Sequence, residues 1–211
     1  MLKFGIVILA LIACFFCQPS YAVTDVPDLF LSEAFIAHGG PGVPSLLVVP
    51  DGNGNTFTEA HDEQGDVVDA TITLHLRDSQ GMPIPLFPRE DLWLETVDGG
   101  LVSCIWGLIA DDHTDHNGMT QWIEPAIAGG YSEGPVLVFV NGSPLTSNNG
   151  LPLSFNSPDI NGDLVVNLAD VVIFAGDYFS GYQFRSDLVR DGVLNLSDIA
   201  LFSLHIGAHC P

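Results

Sequence analysis

The apolar residues between residue 23 and about residue 155 occur in short runs separated by Gly, Pro, Asn and Asp. In the clearest run, residues 67–76, apolar and polar residues alternate. Ile72 and Leu74 share one face of that run, and Thr73 points to the other. Such alternation is typical of a strand with one buried face, and the intervening residues are those that favour turns. The pattern therefore predicts a β-sandwich over this part of the chain.

The segment from residue 159 to residue 170 has a different pattern, with oxygen-bearing side chains at its first, third, fifth, ninth and twelfth positions. This is the ligand spacing of a twelve-residue calcium loop, in which position seven binds through its backbone carbonyl and position nine often through a water. An apolar run at residues 171–175 follows, as expected of the helix that leaves such a loop. The ligand set predicted for this first loop is Asp159, Asn161, Asp163, Val165, Asn167 and Asp170.

The loop and its helix recur 28 residues later, since residues 159–178 align with residues 187–206. Both copies have Asp at positions one, five and twelve, Val at position seven and Asn at position nine. The duplication predicts two calcium loops, each followed by a helix. The ligand set predicted for the second loop is Asp187, Asp191, Val193, Asn195 and Asp198.

Each loop departs from the ideal calcium loop at one position. Position six of the first loop is Leu164, although the sharp turn there calls for Gly, and a left-handed leucine costs on the order of 1–2 kcal/mol. The second loop has the expected Gly192, but its third position, Val189, offers no side-chain oxygen. We therefore expect Ca²⁺ at the first loop and leave its binding at the second loop open. The alternative is a pair of helices whose acidic loops no longer bind Ca²⁺ tightly.

This duplicated pattern of loop and helix resembles a dockerin, the small module that docks enzymes and surface proteins onto cohesin domains. The resemblance covers residue 159 to about residue 208. It implies that loop positions ten and eleven contact a cohesin-like partner. Those positions are Leu168, Ala169, Leu196 and Ser197. If they are exposed, each half of the module offers a small apolar patch; the alternative is that both leucines are buried under the neighbouring domain.

Three turns in the first part of the chain resemble those of the invasin/intimin type of bacterial immunoglobulin-like domain. They are an Asp-x-x-Gly-x-Pro turn at residues 78–83, a Thr-Asp-x-x-Gly hairpin at residues 114–118 and a Gly-rich turn at residues 128–130 that precedes the run 136–140. The resemblance covers about residues 70–142 and implies an immunoglobulin-like β-sandwich. The segment before residue 70 does not match that family well.

The first 22 residues have the pattern of an export signal, with a basic start, an apolar run at residues 4–16 and a small-x-small cleavage site at residues 20–22. We therefore expect a secreted or cell-surface protein; a lipobox-like segment that would acylate Cys14 is the alternative anchor. No other stretch approaches about 18 apolar residues, so no transmembrane helix is expected. The predicted organisation is a signal peptide at residues 1–22, a β-sandwich domain at residues 23–156 and a calcium-binding domain at residues 157–211.

Only two of the four cysteines, Cys104 and Cys210, lie outside the predicted signal. An exported chain with two cysteines can close one disulfide, here between the first domain and the C-terminus. The sequence does not show whether the two are close in space.

The chain is strongly acidic, with 26 Asp and Glu against five Lys and Arg and a formal net charge of −21. Such a charge repels nucleic acid and anionic membranes and attracts cations. We therefore expect no nucleic-acid partner, and the predicted calcium ligands account for only part of the acidity.

Two further acidic segments have metal-like patterns. Residues 51–62 carry oxygens at the same five loop positions, but their glycines at positions two and four favour a hairpin or loop. The cluster Asp111, His113, Asp115 and His116 combines imidazole with carboxylate, as a transition-metal site does. Because that cluster overlaps the Thr-Asp-x-x-Gly turn, local hydrogen bonding is the alternative.

Familiar catalytic motifs, such as a Gly-x-Ser-x-Gly elbow, a His-Glu-x-x-His helix or a phosphate loop, do not occur in the sequence. We therefore expect a protein that is not an enzyme. Trp93, Trp106 and Trp122 would suit a platform on which sugars stack, although tryptophans of a sandwich usually belong to its core.

Together these patterns predict a mainly β protein with a small α module, an immunoglobulin-like β-sandwich followed by a dockerin-like pair of EF-hand-type repeats. The predicted function is that of a secreted, non-catalytic, calcium-binding protein that joins an extracellular or cell-surface assembly, with the sandwich as a spacer or adhesive module. The alternative is a polysaccharide-binding accessory protein of a cellulosome-like system.

Overall fold

The structure is a computed structural model that describes residues 26–147 and 149–211. Within these residues the chain is mainly β, with two helices towards its C-terminal end. The strands are β1 (Glu33–Ile36), β2 (Ser45–Leu47), β3 (Ala60–His61), β4 (Val67–Val68), β5 (Ile72–His75), β6 (Leu92–Thr96), β7 (Leu101–Ser103), β8 (Met119–Trp122), β9 (Ala128–Gly130), β10 (Val136–Val140), β11 (Ser143–Pro144) and β12 (Ser154–Asn156), and the helices are α1 (Leu168–Ser180) and α2 (Leu196–Leu204). The export signal predicted at residues 1–22 lies outside the described residues.

The strands form four small sheets. One has the order β1-β5-β8, a second β11-β10-β6 and a third β12-β2-β3-β4, while β7 and β9 pair as a two-stranded ribbon. All pairings are antiparallel except that of β12 with β2. β12 is the last strand before the helices. Its pairing with β2 therefore places the start of the helical region next to β2.

One large hydrophobic core lies among the strands. Alternate residues of β10 point into it, so that Val136, Val138 and Val140 are buried while Leu137 and Phe139 are only partly covered. The same core contains buried side chains of β1, β2, β5, β6 and β8. The separate sheets therefore share one apolar interior, and burial of these side chains is the main force that holds them together.

The run at residues 67–76 does not form one continuous strand. It is divided into β4 and β5 at residues 69–71, where the Asp69 carboxylate accepts a hydrogen bond from the Thr71 N–H at 2.9 Å. In addition, Thr73 is buried, and its hydroxyl accepts a hydrogen bond at 3.0 Å from Gln121 on β8. Both faces of β5 are therefore covered. The alternation of apolar and polar residues predicts the strand, but it does not predict that the polar face, with Thr73, is buried as well.

A second hydrophobic core joins the helices to the sheets. It contains Phe174 of α1 and Phe202 of α2, whose ring centroids lie 5.3 Å apart, together with Leu47 and Val49 from the end of β2. The remaining buried members are Ile160, Val166, Leu188 and Ala208. The two helices thus pack directly on the β2 segment.

A disulfide joins Cys104 to Cys210, which are 106 residues apart in sequence and 5.7 Å apart between Cα atoms. This bond ties the C-terminal tail to the turn that follows β7. Among the described residues no helix is long and apolar enough to cross a membrane, and the longer helix, α1, has 13 residues.

Candidate calcium loops and docking surface

The predicted first loop, residues 159–170, connects β12 to α1. Its two end carboxylates, Asp159 and Asp170, are completely buried, whereas the middle side chains Asn161 and Asp163 are exposed. Burying a carboxylate is costly unless hydrogen bonds or a cation compensate it. The groups that surround these two carboxylates therefore determine whether the loop is suited to a metal ion.

The backbone of the first loop wraps around the Asp159 carboxylate. Oδ1 accepts hydrogen bonds from the N–H groups of Gly162 and Asp163 at 3.1 and 3.2 Å, and Oδ2 accepts one from Leu164 at 2.8 Å. At the other end, the Asp170 carboxylate accepts from the N–H groups of Asn161 and Asn167 at 3.1 and 2.9 Å. The two carboxylates thus hold both ends and the middle of the loop in one conformation.

Asn167, the predicted ligand at position nine, also begins the first helix. Its Oδ1 accepts a hydrogen bond from the Ala169 N–H at 2.8 Å, and Asp170 completes a capping box with it. Its Nδ2 donates at 3.0 Å to the carbonyl of Val165, the group predicted to bind Ca²⁺ at position seven. The loop and the helix start are therefore a single hydrogen-bonded unit.

The second loop repeats this network at equivalent atoms. The N–H groups of Asp191 and Gly192 donate to the two oxygens of Asp187 at 3.2 and 2.9 Å, and those of Val189 and Asn195 donate to Asp198 at 3.1 and 2.9 Å. Asn195 begins α2 with the same capping box. The duplication that is visible in the sequence is therefore also a duplication of backbone geometry.

Positions four and six have left-handed backbone conformations in both loops. The φ angles are +70° at Gly162 and +68° at Leu164 in the first loop, and +64° at Arg190 and +78° at Gly192 in the second. Each loop therefore places a glycine at one of the two positions and a residue with a side chain at the other. The left-handed turn at position six directs its N–H to the carboxylate at position one, which explains why Leu164 adopts it despite the cost.

The surroundings of the two loops differ at Asp187. Its Oδ2 also accepts a hydrogen bond at 3.0 Å from the Tyr182 hydroxyl. The guanidinium of Arg190 donates to the same hydroxyl at 3.4 Å and lies 4.8 Å from the centroid of the Phe184 ring. The second loop thus has a hydroxyl donor and a nearby cation of its own, and it lacks a side-chain oxygen at position three.

Burial and neighbouring negative charge destabilise the ionised form of the first-loop carboxylate. Desolvation, followed by repulsion from Asp170 and Asp163, raises the pKa of Asp159 to about 6, against the opposing hydrogen bonds from the loop backbone. Burial likewise raises the pKa of Asp198, with Asp187 and Asp191 adding to the effect. A divalent cation would remove both causes, because it replaces lost hydration and offsets the repulsion.

The donor chemistry of the first loop fits Ca²⁺, since it consists only of carboxylate, amide and backbone oxygens. Within residues 26–147 and 149–211, Arg89 pairs with Glu90 and Arg185 with Asp177, and neither ion pair involves a loop carboxylate. The described residues contain no convergent group of three or more His, Cys, Asp or Glu. The first-loop donors are instead a mixed set that includes Asn161, Asn167 and the carbonyl of Val165.

The four residues at loop positions ten and eleven lie in the first turns of the helices. Leu168 is 79% exposed and Leu196 is 73% exposed, and Ala169 and Ser197 beside them are exposed as well. Neither leucine is covered by the sheets. The two halves therefore present equivalent apolar side chains to solvent.

The structure also reveals an apolar groove between α1 and α2, which the sequence analysis did not identify. It encloses about 320 Å³ and is bordered by the exposed Phe179, at 87% exposure, and by Ile199 and Ile206. Further exposed apolar residues, Val172 and Leu204, lie on the same helices. The signal in the sequence was the presence of apolar residues around the whole circumference of α1, which one core-facing stripe does not explain.

The C-terminal tail lies directly against the first loop. The N–H of Val166 donates to the carbonyl of Ala208 at 2.9 Å, and the N–H of Gly207 donates to the carbonyl of Val166 at 2.9 Å. Val166 follows the predicted ligand Val165, and Cys210 follows Ala208 by two residues. The disulfide thus holds the tail that supports this part of the loop.

The other acidic segments have local hydrogen-bonding roles. The Asp51 carboxylate accepts hydrogen bonds from the backbone and side chain of Asn53 at 3.0 and 2.9 Å. The Asp115 carboxylate accepts from the N–H groups of Asn117 and Met119 at 2.8 and 2.9 Å. Asp111 accepts from the N–H of Ile123 at 2.7 Å. These contacts are those of turns and loops.

Comparison with known proteins adds little. No protein-family model and no curated protein sequence matches the chain. Among solved structures, the crystal structure of the Lin-41 filamin domain is similar to it, with 14% identity over 63% of this chain and 97% of that one and a TM-score of 0.28. A similarity at this level carries no weight for fold or function.

Proposed function

We propose that this chain is a secreted, non-catalytic protein with an immunoglobulin-like β-sandwich and a dockerin-like C-terminal region. Ca²⁺ binds at the first loop through Asp159, Asn161, Asp163, the carbonyl of Val165, Asn167 and Asp170. The ion compensates the two buried carboxylates, which stabilises the loop and the start of α1. The second loop is largely maintained by its own hydrogen bonds and binds Ca²⁺ more weakly, because Val189 supplies no oxygen.

The partner is a cohesin-like protein domain that contacts the exposed ends of the two helices. The observation that carries this proposal is the repetition of one hydrogen-bond network in both loops, with Leu168 and Leu196 exposed at equivalent positions. Apolar side chains at such exposure, in two symmetric copies, suit a protein interface better than solvent. The β-sandwich then acts as the spacer or adhesive module of the assembly.

The test uses the chain without its predicted signal, residues 23–211, against a panel of cohesin domains in excess Ca²⁺ or in EGTA. We expect capture by at least one cohesin domain in Ca²⁺, and loss of that capture in EGTA and in the double variant Leu168→Asp/Leu196→Asp. Both leucines are exposed, so the double variant retains its unfolding temperature.

A matched control is Phe30→Asp, which changes another exposed apolar residue, at 72% exposure, in the β region. It leaves capture unchanged. Unfolding of the double variant, or capture that persists in it, would contradict the proposed surface.

A further inference from the structure

A cleft of about 540 Å³ opens beside β6, and none of the predicted calcium ligands lines it. Leu92 and Leu94 of β6 are buried in the core, whereas Trp93 and Glu95 alternate with them and line the cleft. Trp106 and Ser103 also line it. The cleft therefore combines two indole rings with polar groups, as small-molecule sites do.

Trp106 has a strained backbone conformation, and burial of its side chain does not offset that strain. Its φ angle is +65°, although the side chain is 63% exposed. A bulky residue in the left-handed region is a genuine outlier, and such strain is found preferentially at ligand-binding sites. The adjacent Ile105 is 85% exposed, so neither residue of this turn contributes to the core.

The turn that carries Trp106 is firmly anchored on both sides. Cys104 is held by its disulfide to Cys210, and its carbonyl accepts a hydrogen bond from the Gly107 N–H at 2.9 Å. Gly107 packs so closely that a Cβ there would clash with the carbonyl oxygen of Ile127. Between these fixed points the indole of Trp106 is held out towards solvent.

Trp93, the second indole, is fixed by its neighbours on the sheet. It pairs across the strands with Phe139 of β10, and the two rings are nearly parallel, with an interplanar angle of 16° and centroids 5.5 Å apart. Its indole N–H donates to Glu95 Oε1 at 2.8 Å. The ring thus has one orientation before any ligand arrives, which lowers the entropic cost of binding.

The carboxylates of the cleft favour a neutral, hydroxyl-rich ligand over a cation. Glu90 lies 3.5 Å from the guanidinium of Arg89, and Glu95 already accepts the indole proton of Trp93. Their charge is therefore partly satisfied, while their remaining lone pairs are free to accept hydrogen bonds from hydroxyl groups.

We propose that this cleft binds a polysaccharide chain of equatorially linked neutral hexoses. The apolar C–H faces of such sugars stack on Trp93 and Trp106, and their equatorial hydroxyl groups donate to Glu90 and Glu95. Binding here is independent of Ca²⁺ and of the docking surface, so the site adds a ligand to the proposed function and does not rest on it.

The test is calorimetric titration of residues 23–211 with cellohexaose, and with maltohexaose as the probe whose α-linkages curve the chain. We expect saturable binding of cellohexaose, equal in Ca²⁺ and in EGTA, with quenching or a shift of tryptophan fluorescence, and weaker binding of maltohexaose.

The informative variant is Trp106→Gly, because glycine accepts the left-handed conformation without strain. It retains or raises the unfolding temperature and weakens cellohexaose binding by about tenfold or more. Phe179→Ala, which removes an exposed aromatic residue of α1 that does not line the cleft, leaves sugar binding unchanged.

Three results would overturn the proposal. They are the absence of binding of either hexasaccharide by the unmodified chain, unchanged affinity in Trp106→Gly, and preferential binding of choline chloride at Trp106, which would identify the cleft as a cation site.

Discussion

Leu164 shows how a loop geometry can be imposed on a residue that is poorly suited to it. Its φ of +68° matches the +78° of Gly192 at the same loop position, and both residues donate their N–H to the carboxylate at position one. The first loop has glycine at position four instead, where the second has Arg190. Each loop thus accepts one left-handed side chain, with a cost on the order of 1–2 kcal/mol.

The two exchanges at position six test the cost of this left-handed conformation. Leu164→Gly removes the conformational strain, and Gly192→Ala introduces it at a site where a Cβ meets no atom within 4 Å. We expect Gly192→Ala to lower the free energy of unfolding by about 1 kcal/mol. Leu164→Gly should change it by less than about 1 kcal/mol, because relief of strain offsets the lost chain rigidity and packing. Chemical denaturation in EGTA measures both, and a large destabilisation by Leu164→Gly would contradict this explanation.

The raised pKa of Asp159 predicts that Ca²⁺ binding at the first loop, as proposed, depends on pH. With its pKa raised to about 6, the folded, metal-free chain holds a proton there that Ca²⁺ must displace. We expect the apparent affinity for Ca²⁺ to fall by about tenfold per pH unit below pH 6. Titration calorimetry between pH 5 and pH 7.5 measures this, and an affinity that is flat across that range would contradict the assignment of Asp159 as a ligand.

The same shift has the opposite sign for the stability of the metal-free fold. A carboxyl whose pKa is higher when folded stabilises the fold most below its unfolded value of 3.8, and this contribution is lost as the pH rises to about 6. In EGTA, the contribution of Asp159 to the free energy of unfolding therefore decreases over that interval. A comparison with Asp159→Asn, which does not titrate, isolates it.

At the scale of elements, the first loop, the C-terminal tail and the disulfide form one mechanical unit. The tail pairs with Val166 through two hydrogen bonds of 2.9 Å, beside the carbonyl of Val165, and Cys210 then fixes the tail to Cys104. Support of a ligand by an element that is itself covalently anchored reduces the freedom that Ca²⁺ binding must remove. We therefore expect the redox state of the two cysteines to affect the first loop.

Removal of the disulfide should therefore weaken Ca²⁺ binding as well as stability. We expect Cys104→Ser/Cys210→Ser to lower the free energy of unfolding by about 2–5 kcal/mol, because the bond closes a loop of 106 residues. We also expect several-fold weaker Ca²⁺ affinity at the first loop, measured by calorimetry at a temperature where the variant is folded. Unchanged affinity in the folded variant would separate the tail from the metal site.

At the scale of the whole molecule, the helical region is not packed as an isolated module. Leu47 and Val49, from the β region, are buried in the same core as Phe174 and Phe202. The Gly130 N–H of β9 donates to the Asp159 carbonyl at 2.7 Å, which positions the first residue of the proposed calcium loop from the sheet side. The loops and helices therefore pack against the sheets.

A fragment of residues 157–211 should consequently bind Ca²⁺ much more weakly than the whole chain. It lacks Leu47, Val49 and the disulfide partner Cys104, and a chain of that size has little other core. We expect little helical circular dichroism from the fragment in EGTA and an affinity for Ca²⁺ at least about tenfold below that of residues 23–211.

In the whole chain, Leu47→Ala should lower the free energy of unfolding by about 2–5 kcal/mol. A fragment that is folded and binds Ca²⁺ like the intact chain would disprove this dependence.

Much of the local organisation could be predicted from the sequence. The alternation around Ile72 and Leu74 indicates a buried strand, and the duplicated spacing from Asp159 and from Asp187 indicates two equivalent loops, each leading into a helix. Such features depend on residues that are close together in the sequence, so they can be recognised from the sequence alone. The interruption between β4 and β5 was missed because it arises from a local hydrogen bond of Asp69, which does not disturb the apolar alternation.

The sequence by itself determined the acidic charge, the mainly β first part and the paired pattern of loop and helix, because each is written in composition or short-range spacing. Only the tertiary structure decided that Leu47 and Val49 complete the helical core, that Cys104 meets Cys210, and that Trp93 and Trp106 face one cleft while Trp122 is buried. These contacts join residues far apart in the chain, and their formation depends on how the sheets and helices pack together. No local pattern of residues specifies that packing.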